Sequence, residues 1–284
     1  MTSPAAPPTT WFVTGTSRGL GLNLVRTLLA EGANVAATTR SEARLLAGLD
    51  GVDTARLLAL EVEVTDESAV GAAIATLQER FGTPDVVVNN AGYGYLGAVE
   101  ETTPDDVRRM FDVQIGGTWN VLRAVLPGLR AAGGGHIINI SSICGLLAFP
   151  GWALYSAAKF ALEGLSESLA AEVADHGIRV TIVEPGYFNT DFLTADSLRL
   201  PQQTSDAYPA VREMVGTHLA MPGSQLGDPA KAARALIEIA RSGTGPLRQQ
   251  LGSDSAALAA SKLESLTADL AAARELAGTT DYVR

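Results

Sequence analysis

The chain has 284 residues, enough to bury a sizeable core, and its 46% apolar and 18% charged content is that of a folded globular protein. A formal charge of −10 argues against nucleic acid or an anionic membrane as partner, since both need a basic surface. No uninterrupted apolar run approaches the ~18 residues of a membrane helix, and the single Cys144 cannot form an internal disulfide, which fits a reducing, cytoplasmic setting.

In chain order, residues 1–10, with Pro4, Pro7 and Pro8, lack the basic and apolar regions of a signal peptide and read as a flexible tail. Residues 11–14 read as a short buried strand that runs straight into Gly15, Thr16, Ser17, Arg18, Gly19, Leu20 and Gly21, followed by the helical spacing of Leu22, Val25, Leu28 and Leu29. Glycines in such a turn let the backbone approach a diphosphate, and the helix behind offers free N–H groups and the positive end of its dipole. The plainer alternative is a tight turn without a ligand, and the spacing departs from the usual G-x-G-x-x-G. Residues 34–39 form a second strand ending at Arg40. An enzyme that prefers NAD places an acid near this point for the ribose 2′-hydroxyl, whereas a 2′-phosphate wants arginine; here stand Arg40 and, in the glycine turn, Arg18, so NADP(H) is preferred over NAD(H).

Residues 56–64 read as a third strand and residues 85–88 as a fourth, ending in Asn89, Asn90, Ala91 and Gly92; between them runs a helix that Thr65 or Asp66 caps and Gly82 stops. Alternating strands and helices imply a single α/β domain over residues 11–252, a doubly wound parallel sheet in three α-β-α layers with ligands at the carboxyl ends of the strands. Thr103 and Pro104 open the next helix, whose stripe of Val107, Phe111, Thr118, Val121 and Val125 turns Gln114 inward. Residues 136–141 form the fifth strand, followed by Ser142. Tyr155 and Lys159, four apart in an apolar-periodic segment, share one helix face, where an ammonium draws a phenol that titrates near pH ~10 toward neutrality and readies it for proton transfer. Residues 178–183 form the sixth strand, ending in Glu184, Pro185 and Gly186. Periodicity lapses over residues 187–227, as in a lid over a pocket or a surface insertion. Asp228 and Pro229 open another helix, residues 246–251 read as a last strand, and residues 253–284 as a C-terminal helix and tail. His136, His176 and His218 are scattered without ligand spacing, so no metal site is expected.

Together T-G-x-x-x-G-x-G at residues 14–21, N-N-A-G at 89–92, Ser142, Y-x-x-x-K at 155–159 and P-G with Thr190 resemble the short-chain dehydrogenase/reductase family, near its ketoreductases and hydroxysteroid dehydrogenases, from Trp11 to about Leu251. The resemblance implies a Rossmann-type sheet, a nicotinamide cofactor, Tyr155 as acid/base, Ser142 as polariser of the carbonyl, and Lys159 as the group that lowers the Tyr155 pKa and holds the nicotinamide ribose. It further implies Asn90, Ala91 and Gly92 beside the adenosine and the stretch Pro185, Gly186, Phe188 and Thr190 around the carboxamide. Two departures stand out. Glu63, followed by Val64, replaces the usual Asp at the adenine, and Gln114 stands where the family's catalytic set has an Asn.

The leading reading is reduction of a ketone or aldehyde, or the reverse oxidation of a secondary alcohol. A cofactor-sensing protein with little turnover is the alternative, and Gln114 is the feature in its favour. A nucleotide-sugar epimerase on the related extended fold would need a larger C-terminal domain. Tyr93, Tyr95, Phe149, Trp152 and Phe192 lie on loops at the cofactor end and suggest an apolar or aromatic substrate. A homo-oligomer, dimer or tetramer, is expected.

Overall fold

The computed structural model describes residues 9–282. Within them the chain runs β1 (Thr10–Thr14), α1 (Gly19–Ala30), β2 (Asn34–Thr39), α2 (Glu42–Gly48), β3 (Leu57–Glu61), α3 (Glu67–Phe81), β4 (Val86–Asn89), β5 (Gly94–Tyr95), α4 (Pro104–Phe111), α5 (Gly117–Ala132), β6 (Gly135–Ile140), α6 (Ala153–Val173), β7 (Ile178–Pro185), β8 (Leu198–Arg199), α7 (Pro209–Leu219), α8 (Pro229–Arg241), β9 (Arg248–Leu251) and α9 (Ser253–Gly278). Seven strands pair in parallel in the order β3-β2-β1-β4-β6-β7-β9. This is the doubly wound α/β fold, with its switch between β1 and β4.

The sheet is buried on both faces, and β1 makes the reason plain. All five of its residues are buried. Trp11 and Val13 face a core shared with Leu24 and Leu28 of α1 and Leu236 and Ile237 of α8. Phe12, on the other face, packs with Ile74 of α3, Val121 and Val125 of α5 and Leu169 of α6. Each fully buried large apolar side chain contributes roughly 1.5–3 kcal/mol, so a continuous apolar strand is stable only between two helix layers. A third cluster, with Tyr95, Met110, Trp152, Tyr155 and Leu198, lies at the carboxyl ends of the strands. No helix among the described residues is long and apolar enough to cross a membrane.

Helix ends follow their caps. Asp66 accepts from the Ala69 amide at 3.0 Å, Thr103 and Asp106 form a reciprocal capping box, and Asp228 accepts from Ala230 at 2.8 Å. Some expected bounds move. Of the expected tail, residues 1–8 lie outside the described residues, while Thr10 already pairs with Asn34 in the sheet. The third strand is shorter than expected and stops at Glu61, and β7 continues to Pro185. Helices α2 and α7 have no counterpart in the sequence reading, because each buries too few side chains to set a stripe: Leu45 in α2, Val211 and His218 in α7. The stripe through Gln114 is also interrupted. Residues Asp112–Gly116 form a π turn, whose wider winding shifts the register, so Met110 is buried while Val107 is 39% exposed.

One buried histidine yields a test of the sheet. Arg179 Nη2 donates to His136 Nδ1 at 2.8 Å, leaving Nε2–H to donate to Thr181 Oγ1 at 2.8 Å. Burial first, then the Arg179 charge, pushes the His136 pKa down to about 3. A depressed pKa gives stability that is complete above the ordinary ~6.5 and is lost as pH falls toward 3. Between pH 6.5 and 4 the wild type should lose about 2–3 kcal/mol more than His136→Gln. Denaturant midpoints measured against pH check this, and parallel curves would show that His136 does not titrate in that window.

Candidate active site

At the switch between β1 and β4 the strand ends splay, and side chains tie the two loops that leave them. Thr14 Oγ1 accepts from the amides of Asn90 (2.9 Å) and Ala91 (3.0 Å), while Asn90 Nδ2 donates to the carbonyls of Thr14 (2.9 Å) and Gly15 (3.0 Å). The glycine turn therefore lies against the N-N-A-G loop. Gly15 has φ +71°, and a Cβ there would meet Ala91 Cα at 2.7 Å, so the position admits only glycine. Thr16 donates through its amide and its hydroxyl to Thr38 O, at 3.1 and 3.0 Å, and pins the turn to β2. No side chain caps α1, which leaves its first N–H groups to a ligand. A turn that starts and ends on glycine, in front of an uncapped helix end, fits a diphosphate.

Across the cleft, β6 delivers Ser142 and α6 delivers Tyr155 and Lys159. The seat of α6 is polar and buried: Asn89 Nδ2 donates to Asn139 Oδ1 (2.8 Å), Asn139 Nδ2 to Ser166 Oγ (2.8 Å), and Ser166 Oγ to Leu162 O (2.6 Å). Lys159 Nζ donates to Ile140 O at 3.0 Å and lies 5.6 Å from the centroid of the Tyr155 ring. That ring is packed by Trp152 at 5.4 Å and Phe192 at 5.6 Å. Ser142 Oγ accepts from the Cys144 amide at 3.1 Å.

Burial holds the Tyr155 phenol above its ordinary range, with the Ser142 hydroxyl opposing. Burial likewise pushes Lys159 down to about 8, against the pull of Glu163. Glu163 accepts from Arg248 Nε at 3.1 Å, and the neighbouring Glu184, which accepts from Gln250 Nε2 at 2.6 Å, is raised to about 7 by burial.

The glycine turn, Ser142, Tyr155 and Lys159 line one cavity of about 1280 Å³, larger than the ~300–1,000 Å³ of a pocket for one small ligand. One end carries Gly15, Ser17, Arg18, Gly19, Leu20, Arg40, Glu63, Val64, Asn90, Ala91 and Gly92; the other carries Tyr93, Ser142, Trp152, Tyr155, Lys159, Pro185, Gly186, Phe188, Thr190 and Phe192. Thr16, Gly21, Gln114, Tyr95 and Phe149 stand outside its wall. Tyr95 is buried with its hydroxyl donating to Asp106 at 3.2 Å, and Phe149 packs in the cluster behind. Sequence reasoning missed Tyr187 and its partner His218, whose Nε2 lies 2.9 Å from the Tyr187 hydroxyl, as well as Cys144 and Asp196 on the cavity wall. His218 sits in α7, where no periodicity pointed to it; Tyr187 directly follows the P-G pair, the one available signal.

Gln114 is 1% exposed, and its Nε2 donates to Tyr93 O at 3.0 Å and to Met110 Sδ at 2.7 Å. Its reach is thus to the backbone of the cavity wall. Gln114→Leu should strand the Tyr93 carbonyl and lower stability by ~1–3 kcal/mol, whereas Gln114→Asn should cost less. Denaturant melts of both variants check this, and an unchanged Gln114→Leu midpoint would show that the carbonyl finds another donor.

Residues 9–199 match the family described as short chain dehydrogenase. An oxidoreductase of Botryotinia fuckeliana, BOA17, is 35% identical over 266 residues, covering 94% of this chain and 97% of its own length. A short-chain dehydrogenase structure from Streptomyces avermitilis aligns with a TM-score of 0.88 at 37% identity, over 97% of this chain and 100% of that one. ElxO, solved with NADP bound, aligns with a TM-score of 0.71 at 27% identity, over 86% and 97% of the two chains. The chain belongs to the short-chain dehydrogenase family. It is accordingly an NAD(P)-dependent oxidoreductase with a nicotinamide cofactor and a small-molecule substrate.

Proposed function

We propose that this enzyme reduces a ketone or aldehyde carbonyl on a largely apolar or aromatic small molecule with NADPH, and oxidises the corresponding alcohol in reverse. The observation that carries the reading is the meeting of Ser142, Tyr155 and Lys159 on one cavity with the glycine turn at its far end. The nicotinamide group, when bound, supplies the hydride. Tyr155, kept protonated by burial, holds a proton for the carbonyl oxygen, and the Ser142 hydroxyl steadies that oxygen. Lys159, anchored on Ile140 O, holds the ribose, while Gln114 acts through the Tyr93 carbonyl rather than by touching the reacting atoms. Tyr93, Trp152 and Phe192 form the apolar wall, and Tyr95 and Phe149 back it. Segment 187–227 serves as the lid of this pocket. Exposed Trp119 and Phe160 favour a homo-oligomer, and the free Cys144 favours a cytoplasmic setting.

Tyr155→Phe should keep cofactor affinity and lose turnover by ~10²–10⁴-fold, since the ring still packs and only the proton donor is gone. A carbonyl panel spanning small, steroid-like and polycyclic ketones, followed by NADPH oxidation, measures it; substantial residual turnover would move the acid elsewhere.

Arg18 and Arg40 line the adenosine end of the cavity and support a preference for NADPH. Fluorescence titration should find NADPH bound more tightly than NADH, with Arg40→Ala weakening NADPH about tenfold and NADH little. Equal weakening of both would remove Arg40 from the 2′-phosphate.

A further inference from the structure

We infer that Asp196 is a cofactor-selectivity residue: its carboxylate holds the anion position between Arg18 and Arg44 and competes there with the 2′-phosphate of NADP(H). The inference deepens the proposed NADPH preference and rests on it only in part.

Arg18 and Arg40 line this end of the cavity and Arg44 joins Arg18 on Asp196, while burial first, then the charges of Arg44 and Arg40, lowers the Arg18 pKa. Arg18 Nη2 donates to the backbone carbonyl of Asp196 at 2.5 Å, and its Nη1 lies 3.9 Å from Asp196 Oδ2. Arg44 Nη2 donates to that same Oδ2. Asp196 reaches this cluster from the stretch between the short helical turn Asp191–Leu193 and β8, far away in sequence, and it lines the same cavity as Arg18 and Arg40.

Clustered guanidinium groups repel one another, so the site gains from any anion placed among them. Asp196 brings a single charge, and both it and Arg44 are about half exposed, at 52% and 48%, which makes their pair weak and displaceable. A 2′-phosphate brings more charge and three acceptor oxygens for the same donors. NAD(H), with a hydroxyl in that position, has no claim on them and leaves the Asp196 contacts intact. Asp196 thus narrows the gap between the two cofactors, and Arg44, which does not line the cavity, gains a role in recognising the phosphate once the carboxylate gives way.

The test is calorimetric binding of NADP⁺, NAD⁺ and adenosine 2′,5′-bisphosphate to wild type, Asp196→Asn and Arg44→Ala. Asp196→Asn should tighten NADP⁺ and the bisphosphate roughly three- to tenfold and leave NAD⁺ unchanged. Arg44→Ala should weaken NADP⁺ and the bisphosphate and leave NAD⁺ unchanged. An Asp196→Asn variant with unaltered bisphosphate affinity overturns the inference. Equal tightening of all three ligands overturns it too, since that marks mere obstruction by the segment. The NADPH preference fails by a different result, namely equal binding of NAD⁺ and NADP⁺ by the wild type; preference newly created by Asp196→Asn would then still uphold the role of Asp196.

Discussion

The tie between Thr14, at the end of β1, and Asn90, just past the end of β4, is the constraint on which the cofactor end of the molecule depends. Parallel strands on either side of a switch point diverge at their carboxyl ends, and without a cross-link the two loops would be free to separate. Here one hydroxyl takes two amides and one amide group feeds two carbonyls, so both loops are held by four hydrogen bonds. Each such bond contributes only ~1 kcal/mol net, yet stranding any of these groups costs more. Asn90 therefore shapes the cradle from beneath, with its Nδ2 spent on two carbonyls within the protein. The same closeness of approach forbids a side chain at Gly15.

The Tyr155 end of the cavity rests on a second polar device, the ladder from Asn89 through Asn139 to Ser166, which seats α6 on the sheet. Buried amides and hydroxyls specify position because each must find its partner, whereas apolar packing tolerates sliding. Lys159 adds a fixed point at Ile140 O. With α6 located in this way, Tyr155 comes to rest among Trp152 and Phe192, and burial sets the protonation of its phenol. The seating of one helix thus decides an acid–base property.

Much of this was legible in the sequence, and the limits have physical causes. Strands such as β1 and β4 are continuous apolar runs, and α3, α4 and α8 announce themselves by Asp66, Thr103 and Asp228 at their caps. The order of the glycine turn, N-N-A-G, Ser142 and Y-x-x-x-K brings these residues to one cavity, because residues at strand ends and on one helix face keep their places in a doubly wound sheet. What could not be read is set by distant partners. The π turn at Gln114 breaks the helical count, and the sign of the Tyr155 shift depends on how thoroughly Trp152, Phe192 and Leu193 bury it, which no local spacing encodes.

Segment 187–227 illustrates the same limit at the cavity wall. Its position comes from groups outside it: Asp254 at the start of α9 accepts from the Tyr187 amide at 2.7 Å, and the nearly buried Glu101 accepts from the Ser205 amide and from Arg212 of α7. Gly186 permits this, since a Cβ there would overlap the Asp254 carboxylate. Inside the segment, His218 and Tyr187 bond across 2.9 Å while His218 also packs on Trp152 at 5.2 Å. The segment's apolar side chains, Phe192, Leu193, Leu198 and Met214 among them, join the third core cluster at irregular spacing, so the sequence shows no period. Its contacts run to Trp152 and thence to Tyr155, and a change at Glu101 or Asp254 therefore bears on the shape of the cavity wall although neither residue faces the cavity.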